Sequence, residues 1–222
     1  MFTDRKDAGK KLARKLKYYK GSDAVILAIP RGGLPIGAAI AELLHLPLDV
    51  VLSKKIGHPL NKEFAIGAVS LNSTVLGAEA GQIPSSYIDE ETRKIHRDLQ
   101  KKMEMYYQGN TPVNLKGKTL IVTDDGIATG NTILATVALL AREDPDKIII
   151  AVPVSSVSAQ KKISQSPYVD QMISLITPYN FNAVGSYYHN FLPVSDSEAI
   201  RLLQTFSNPN KNNTTKTDRA IP

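Results

Sequence analysis

The amino-acid pattern predicts an α/β fold, with a central, mostly parallel five-stranded sheet and helices on both faces. Five short apolar runs, at 24–29, 48–53, 119–123, 147–152 and 169–176, carry the prediction. Segments with helical spacing separate them, and an acidic, then Gly/Thr-rich turn follows the third run. A strand that is apolar on both sides needs cover on both sides, which a parallel sheet between helices supplies. At 222 residues the chain is long enough for one such domain with a sizeable core.

The first element is basic. Residues 1–20 hold eight Lys or Arg (Arg5, Lys6, Lys10, Lys11, Arg14, Lys15, Lys17, Lys20) against Asp4 and Asp7, which equals the +6 net charge of the whole chain. Ala8, Leu12, Leu16 and Tyr19 recur at helical spacing, and Thr3 or Asp4 can cap the start. An amphipathic helix with a solvated basic face accounts for these charges more simply than a nucleic-acid or membrane patch, so neither partner is expected. Gly21-Ser22 breaks the helix before the strand at 24–29, and the turn Pro30-Arg31-Gly32-Gly33 leads into a helix over 34–45.

The second strand, at 48–53, is followed by a polar loop with Lys54, Lys55, Gly57, Pro59 and Asn61. Residues 65–76 alternate as a short strand or hairpin, and 89–107 place Ile95, Leu99 and Met103 on one helical stripe. Helices are predicted over 130–142, 156–165 and 195–206, the last capped by Ser195 or Asp196. From 207 onward Asn, Lys, Thr and Pro dominate, so one domain over 1–206 and a disordered tail at 207–222 are expected.

Composition excludes several classes. The apolar runs are too short to span a bilayer. With no cysteine there is no disulfide framework, thiolate metal site or cysteine nucleophile, which fits a cytoplasmic protein. His45, His96 and His189 lack metal-ligand spacing, and His58 reads better as a loop residue than as a base.

The chemistry concentrates at 120–132, LIVTDDGIATGNT. A buried strand ends in Asp124 and Asp125, Gly126 allows a sharp turn, and Ala128, Thr129, Gly130, Asn131 and Thr132 open a helix. Unpaired N–H groups at a helix start bind phosphate, and two carboxylates beside them suit a diol or Mg²⁺ rather than the anion itself. A sugar phosphate meets both demands. A P-loop is excluded, because the Gly126–Gly130 interval is one residue short and Asn131 stands where Lys belongs. No G-x-G-x-x-G follows any strand, so a dinucleotide site has no support either.

Strand, two acids and a Gly/Thr-rich turn resemble the signature of the type I phosphoribosyltransferases. The resemblance assigns Asp124 and Asp125 to the ribose of phosphoribosyl pyrophosphate (PRPP) and to Mg²⁺, and Gly126 with Ala128 to Thr132 to the 5-phosphate. Pro30-Arg31-Gly32-Gly33 is similar to the family's pyrophosphate loop, where a non-proline cis peptide at Pro30–Arg31 is implied. Lys54-Lys55-Ile56-Gly57 resembles the basic loop that meets pyrophosphate in adenine enzymes, although Ile56 and His58 depart from that pattern. Asp4-Arg5, Ala8-Gly9, Glu63, Ala65-Ile66-Gly67 and Ser195-Asp196 extend the likeness to a less-studied bacterial branch over residues 2–205.

Membership implies an enzyme that moves phosphoribosyl from PRPP to a nitrogenous base or similar acceptor, with Mg²⁺ bound largely through PRPP. Arg31, Asp124 and Asp125 are its expected catalytic groups, with Glu63 or water taking a proton. Ala128 stands where hypoxanthine-guanine enzymes carry a base-reading Asp, which weakens that specificity. A C-terminal hood at 178–193 is expected over the acceptor, with Tyr187 and Tyr188 stacking on it unless these rings only pack the hood. Residues 77–107 read as an insertion that covers the site or forms a homodimer contact. A non-catalytic PRPP sensor and a sugar-phosphate hydrolase are the alternatives; Arg31 and the Lys54/Lys55 pair favour the transferase.

Overall fold

The computed structural model describes residues 1–206, the Glu63 side chain excepted, so the expected tail at 207–222 lies outside the described residues. In chain order the elements are α1 (Arg5–Lys15), β1 (Ala24–Ala28), α2 (Gly33–Leu44), β2 (Leu48–Val50), β3 (Ser53–His58), β4 (Asn61–Ser70) and β5 (Thr74–Leu76). There follow α3 (Ser85–Tyr107), β6 (Thr119–Thr123), α4 (Asn131–Leu140), β7 (Lys147–Val154), α5 (Val157–Ser164), β8 (Gln171–Ile176) and α6 (Asp196–Phe206).

The main sheet runs β2-β1-β6-β7-β8 with every neighbouring pair parallel. Alternate residues divide its apolar content between two cores. Ile26, Ala28, Ile121 and Ile149 pack with Leu12, Leu34, Ile40 and Leu203 of the helices on one face. Val25, Leu27, Val122 and Ile150 pack with Ile133, Val137, Ala159 and Ile163 on the other. Each such Val, Leu or Ile side chain, fully buried, contributes roughly 1.5–3 kcal/mol.

Strand order reverses between β1 and β6. The chain leaves β1 toward β2 on one side and returns to β6 on the other, so the loops after β1 and β6 diverge and leave a crevice. Ala28 and Thr123 are paired in register, so the two loops begin at the same level.

Two expectations need correction. The apolar run 48–53 does not form one strand: β2 ends at Val50, and Ser53 opens a second sheet. The "polar loop" after it is β3, antiparallel to β4, which pairs in turn with β5. Its polar side chains hide the strand, because the apolar content that seats this sheet sits mainly on β4, where Ile66, Ala68 and Val69 are buried. The helix expected from 89 begins at Ser85, directly after Pro84. Ile95 and Leu99 of its stripe are buried as predicted. At its end Tyr107 donates to the buried Asp49 on β2 (2.5 Å), and Val113 N–H donates to the same carboxylate (2.7 Å).

Asp4 settles the cap of α1, accepting from Asp7 N–H at 2.8 Å, and Ser195 caps α6, accepting from Glu198 N–H at 3.1 Å.

Candidate active site

The site is built from the carboxyl end of β6. Thr123 is fully buried, and its hydroxyl has no hydrogen-bond partner among the described residues. Asp124 follows, its Oδ1 accepting from Asp125 N–H at 2.8 Å. Lost hydration, and then the neighbouring Asp125 charge, push the Asp124 carboxyl up to about 8 from its ordinary 3.8.

Past Asp125 the chain turns tightly. A Cβ at Gly126 would lie 2.6 Å from Val184 and 2.8 Å from Val154, so only glycine passes there. Ile127 then pairs with the end of β7: its N–H donates to Val154 O, and Ser156 N–H donates to Ile127 O, both at 2.9 Å. Ala128, Thr129 and Thr132 are exposed, and Gly130 takes a left-handed φ of 77° to start α4 without a side-chain cap. The first-turn N–H groups of α4 have no partner within the helix and sit at its positive end, which makes them an anion site. Asn131 Oδ1 accepts from Lys162 Nζ at 2.7 Å. Ser156 steadies the turn by donating to Ala128 O (2.6 Å) while capping α5 through Ala159 N–H (3.1 Å).

The loop after β1 approaches from the other side of the crevice. Pro30–Arg31 is a cis peptide, as the resemblance implies. Ile29 N–H donates to Thr123 O at 2.9 Å, joining the two strand ends. A Cβ on Gly32 would stand 2.0 Å from Asp125 Oδ2, and one on Gly33 would stand 2.6 Å from Thr123 O. The glycines of this loop therefore lie against the acidic pair. The Arg31 side chain is half-exposed and pairs with Asp196 at the start of α6 (3.4 Å).

Lys54 and Lys55 lie on strand β3, where consecutive side chains alternate between its faces. Lys54 turns to Asp98 on α3 at 3.3 Å, away from the Ser53/Lys55 face, where Ser53 Oγ meets Thr136 Oγ1 of α4 at 3.1 Å. Glu63 lies on β4, and its side chain is outside the described residues. His58 serves its own turn, Nδ1 accepting from Leu60 N–H at 3.1 Å.

Residues 178–193 include a short 3-10 turn at Val184–Tyr187. Tyr188 is 4% exposed, packs against Phe2 and Phe191, and donates its hydroxyl to Asp125 O at 2.6 Å. Tyr187 is partly exposed and stacks on Phe181 at 5.7 Å between ring centroids.

The structure brings the N-terminal segment to the site. Phe2 pairs with Tyr188, and His189 and Asn190 N–H donate to Phe2 and Thr3 carbonyls, each at 2.9 Å. Arg5, counted above among the solvated basic residues, is part-buried: Nε and Nη2 donate to Asp125 Oδ2 at 3.0 and 2.8 Å. Asp4-Arg5 was the only signal, as part of the resemblance, because the contact spans 120 residues.

Carboxylates at one strand end, a helix N-terminus beside them and a glycine loop across a switch point mark an α/β protein whose candidate site lies at the carboxyl ends of its strands. The phosphoribosyl transferase domain model matches residues 3–190, and the chain belongs to that family, with the type I fold. A protein of Mycobacterium tuberculosis provisionally named a phosphoribosyl transferase is 34% identical over 209 residues, covering 91% of this chain and 46% of its own length. This chain thus spans about half the length of the curated relatives it matches. The crystal structure of TT1426 from Thermus thermophilus matches with a TM-score of 0.85 at 33% identity, covering 93% of this chain and 99% of that one. Among the described residues no helix is long and apolar enough to cross a membrane.

Proposed function

We propose that this protein transfers the 5-phosphoribosyl group of PRPP to a nitrogen of a nucleobase or similar acceptor, releasing pyrophosphate. The observation that carries this reading is the contact of the Gly32 backbone with Asp125 beside the start of α4. It brings the three parts a phosphoribosyl donor needs to one point of the crevice. The first turn of α4 takes the 5-phosphate, and the acidic pair accepts hydrogen bonds from the ribose hydroxyls. Pyrophosphate departs past the 30–33 loop, where backbone groups and Arg31 meet its growing charge. The C1–O electron pair leaves with pyrophosphate, the acceptor nitrogen supplies the pair for the C1–N bond, and its proton passes to water. Holding donor and acceptor in line is the larger share of the work.

Mg²⁺ fits the donor set as a partner of PRPP. Asp124 and Asp125 offer hard oxygen ligands, but among the described residues no three acidic, His or Cys side chains gather to hold a metal. When bound, the ion neutralises pyrophosphate charge.

The test is pyrophosphate release with PRPP, Mg²⁺ and a panel of bases. Release with at least one base is expected. PRPP binding without release from any acceptor refutes the enzyme and leaves the sensor. Joint replacement of Asp124→Asn and Asp125→Asn should abolish PRPP binding in a folded protein; unchanged binding removes the assignment of the site.

A further inference from the structure

Arg5 opens α1, where a cation meets the positive end of its own helix, so helix stability does not explain it. All three guanidinium nitrogens are committed. Nε and Nη2 reach Asp125 Oδ2, Nη1 donates to Leu192 O at 2.8 Å, and the group lies 3.8 Å over the Phe191 ring centroid. The pair is well shielded, at 11% side-chain exposure for Arg5 and 18% for Asp125. Both bonds end on Oδ2, so Oδ1 takes neither of them. On its other side Oδ2 abuts Gly32, where a Cβ would come within 2.0 Å. The main chain of Asp125 is held from the same quarter by the Tyr188 hydroxyl. Gly9 seats α1 tightly on α2, a Cβ there lying 2.6 Å from Ile36 O, so Arg5 is fixed relative to the loop that starts α2.

Building on the proposed function, we propose that Arg5 is a positioning residue of the ribose site. It sets the Asp125 carboxylate for the ribose hydroxyls and draws residues 191–192 over the same point. A lysine cannot reproduce this, because one ammonium lacks the planar fork that spans Asp125 and Leu192 together.

The experiment is calorimetric titration of the full chain with PRPP·Mg²⁺ and, separately, with pyrophosphate·Mg²⁺. Arg5→Ala should weaken PRPP about 10- to 100-fold, the loss of hydrogen bonds to a charged group. Pyrophosphate lacks the ribose, so its affinity should stay within about twofold. Arg5→Lys should recover part of the PRPP affinity; if Arg5→Ala does not fold, Arg5→Lys against wild type is read by the same contrast. Unchanged PRPP affinity in a folded Arg5→Ala, or equal losses for both ligands, overturns the role of Arg5 and leaves it a structural tie. Failure of the wild type to bind PRPP instead removes the proposed function, and this inference with it.

Discussion

Replacing Gly32 by alanine puts a methyl carbon 2.0 Å from Asp125 Oδ2 and 2.6 Å from its Cγ. Ordinary contact begins near 3.4 Å, so the carboxylate must retreat by about 1.4 Å, the difference between those distances. It has little room to do so. Arg5 holds the same oxygen at 2.8 Å, and Tyr188 holds the Asp125 carbonyl at 2.6 Å. Relief therefore breaks the ion pair, which costs on the order of 2 kcal/mol for partly buried, charge-assisted bonds. For a chain of this size that lowers Tm by about 4–8 °C. Losing a charge-assisted hydrogen bond to the ribose should weaken PRPP·Mg²⁺ about 10- to 100-fold. Differential scanning fluorimetry and calorimetric titration measure the two effects. Gly81→Ala is the control, because nothing lies within 4 Å of a Cβ there. A Gly32→Ala protein that melts and binds PRPP like wild type would refute the contact between loop and carboxylate.

Other outcomes follow from single atoms. The folded protein holds the Asp124 proton where an unfolded chain has lost it, so the stability it contributes is complete below about pH 4. That contribution falls as pH rises to about 8. Asp124→Asn should flatten this part of the pH–stability profile in urea melts, by up to about 1.4 kcal/mol per pH unit; a profile identical to wild type counts against the raised carboxyl. Ser156→Ala loses both the α5 cap and the bond to Ala128 O, so it should cost about 1–2 kcal/mol in urea unfolding and loosen PRPP binding. Thr123→Val removes a buried hydroxyl without a described partner, and thermal melting should show equal or higher stability.

Much of the frame was legible because its physics is local. Runs such as Val25–Leu27 and Ile148–Ile150 are apolar on successive residues, and only strands covered on both sides need that. Asp124 to Thr132 declared a strand-to-helix turn by composition, and that turn is where the chain makes it. The sheet of β3 to β5 was hidden because Lys54, Lys55 and His58 read as a polar loop while Ile56 supplies the buried contact of β3. Tyr188 could not be told from Tyr187 by type, since burial separates them, and burial depends on Phe2 at the far end of the chain. Arg5 lies in a segment whose other cations are mainly solvated, so charge counting placed it with them. Its partner sits 120 residues away, beyond any periodicity.

The pairing of Phe2 with Tyr188 makes the first five residues a handle on the Asp125 side of the crevice. Met1 is exposed, so a fused tag can be attached there, but its pull reaches Arg5 within four residues and Asp125 one side chain later. Apparent PRPP affinity should therefore depend on what is appended to Met1.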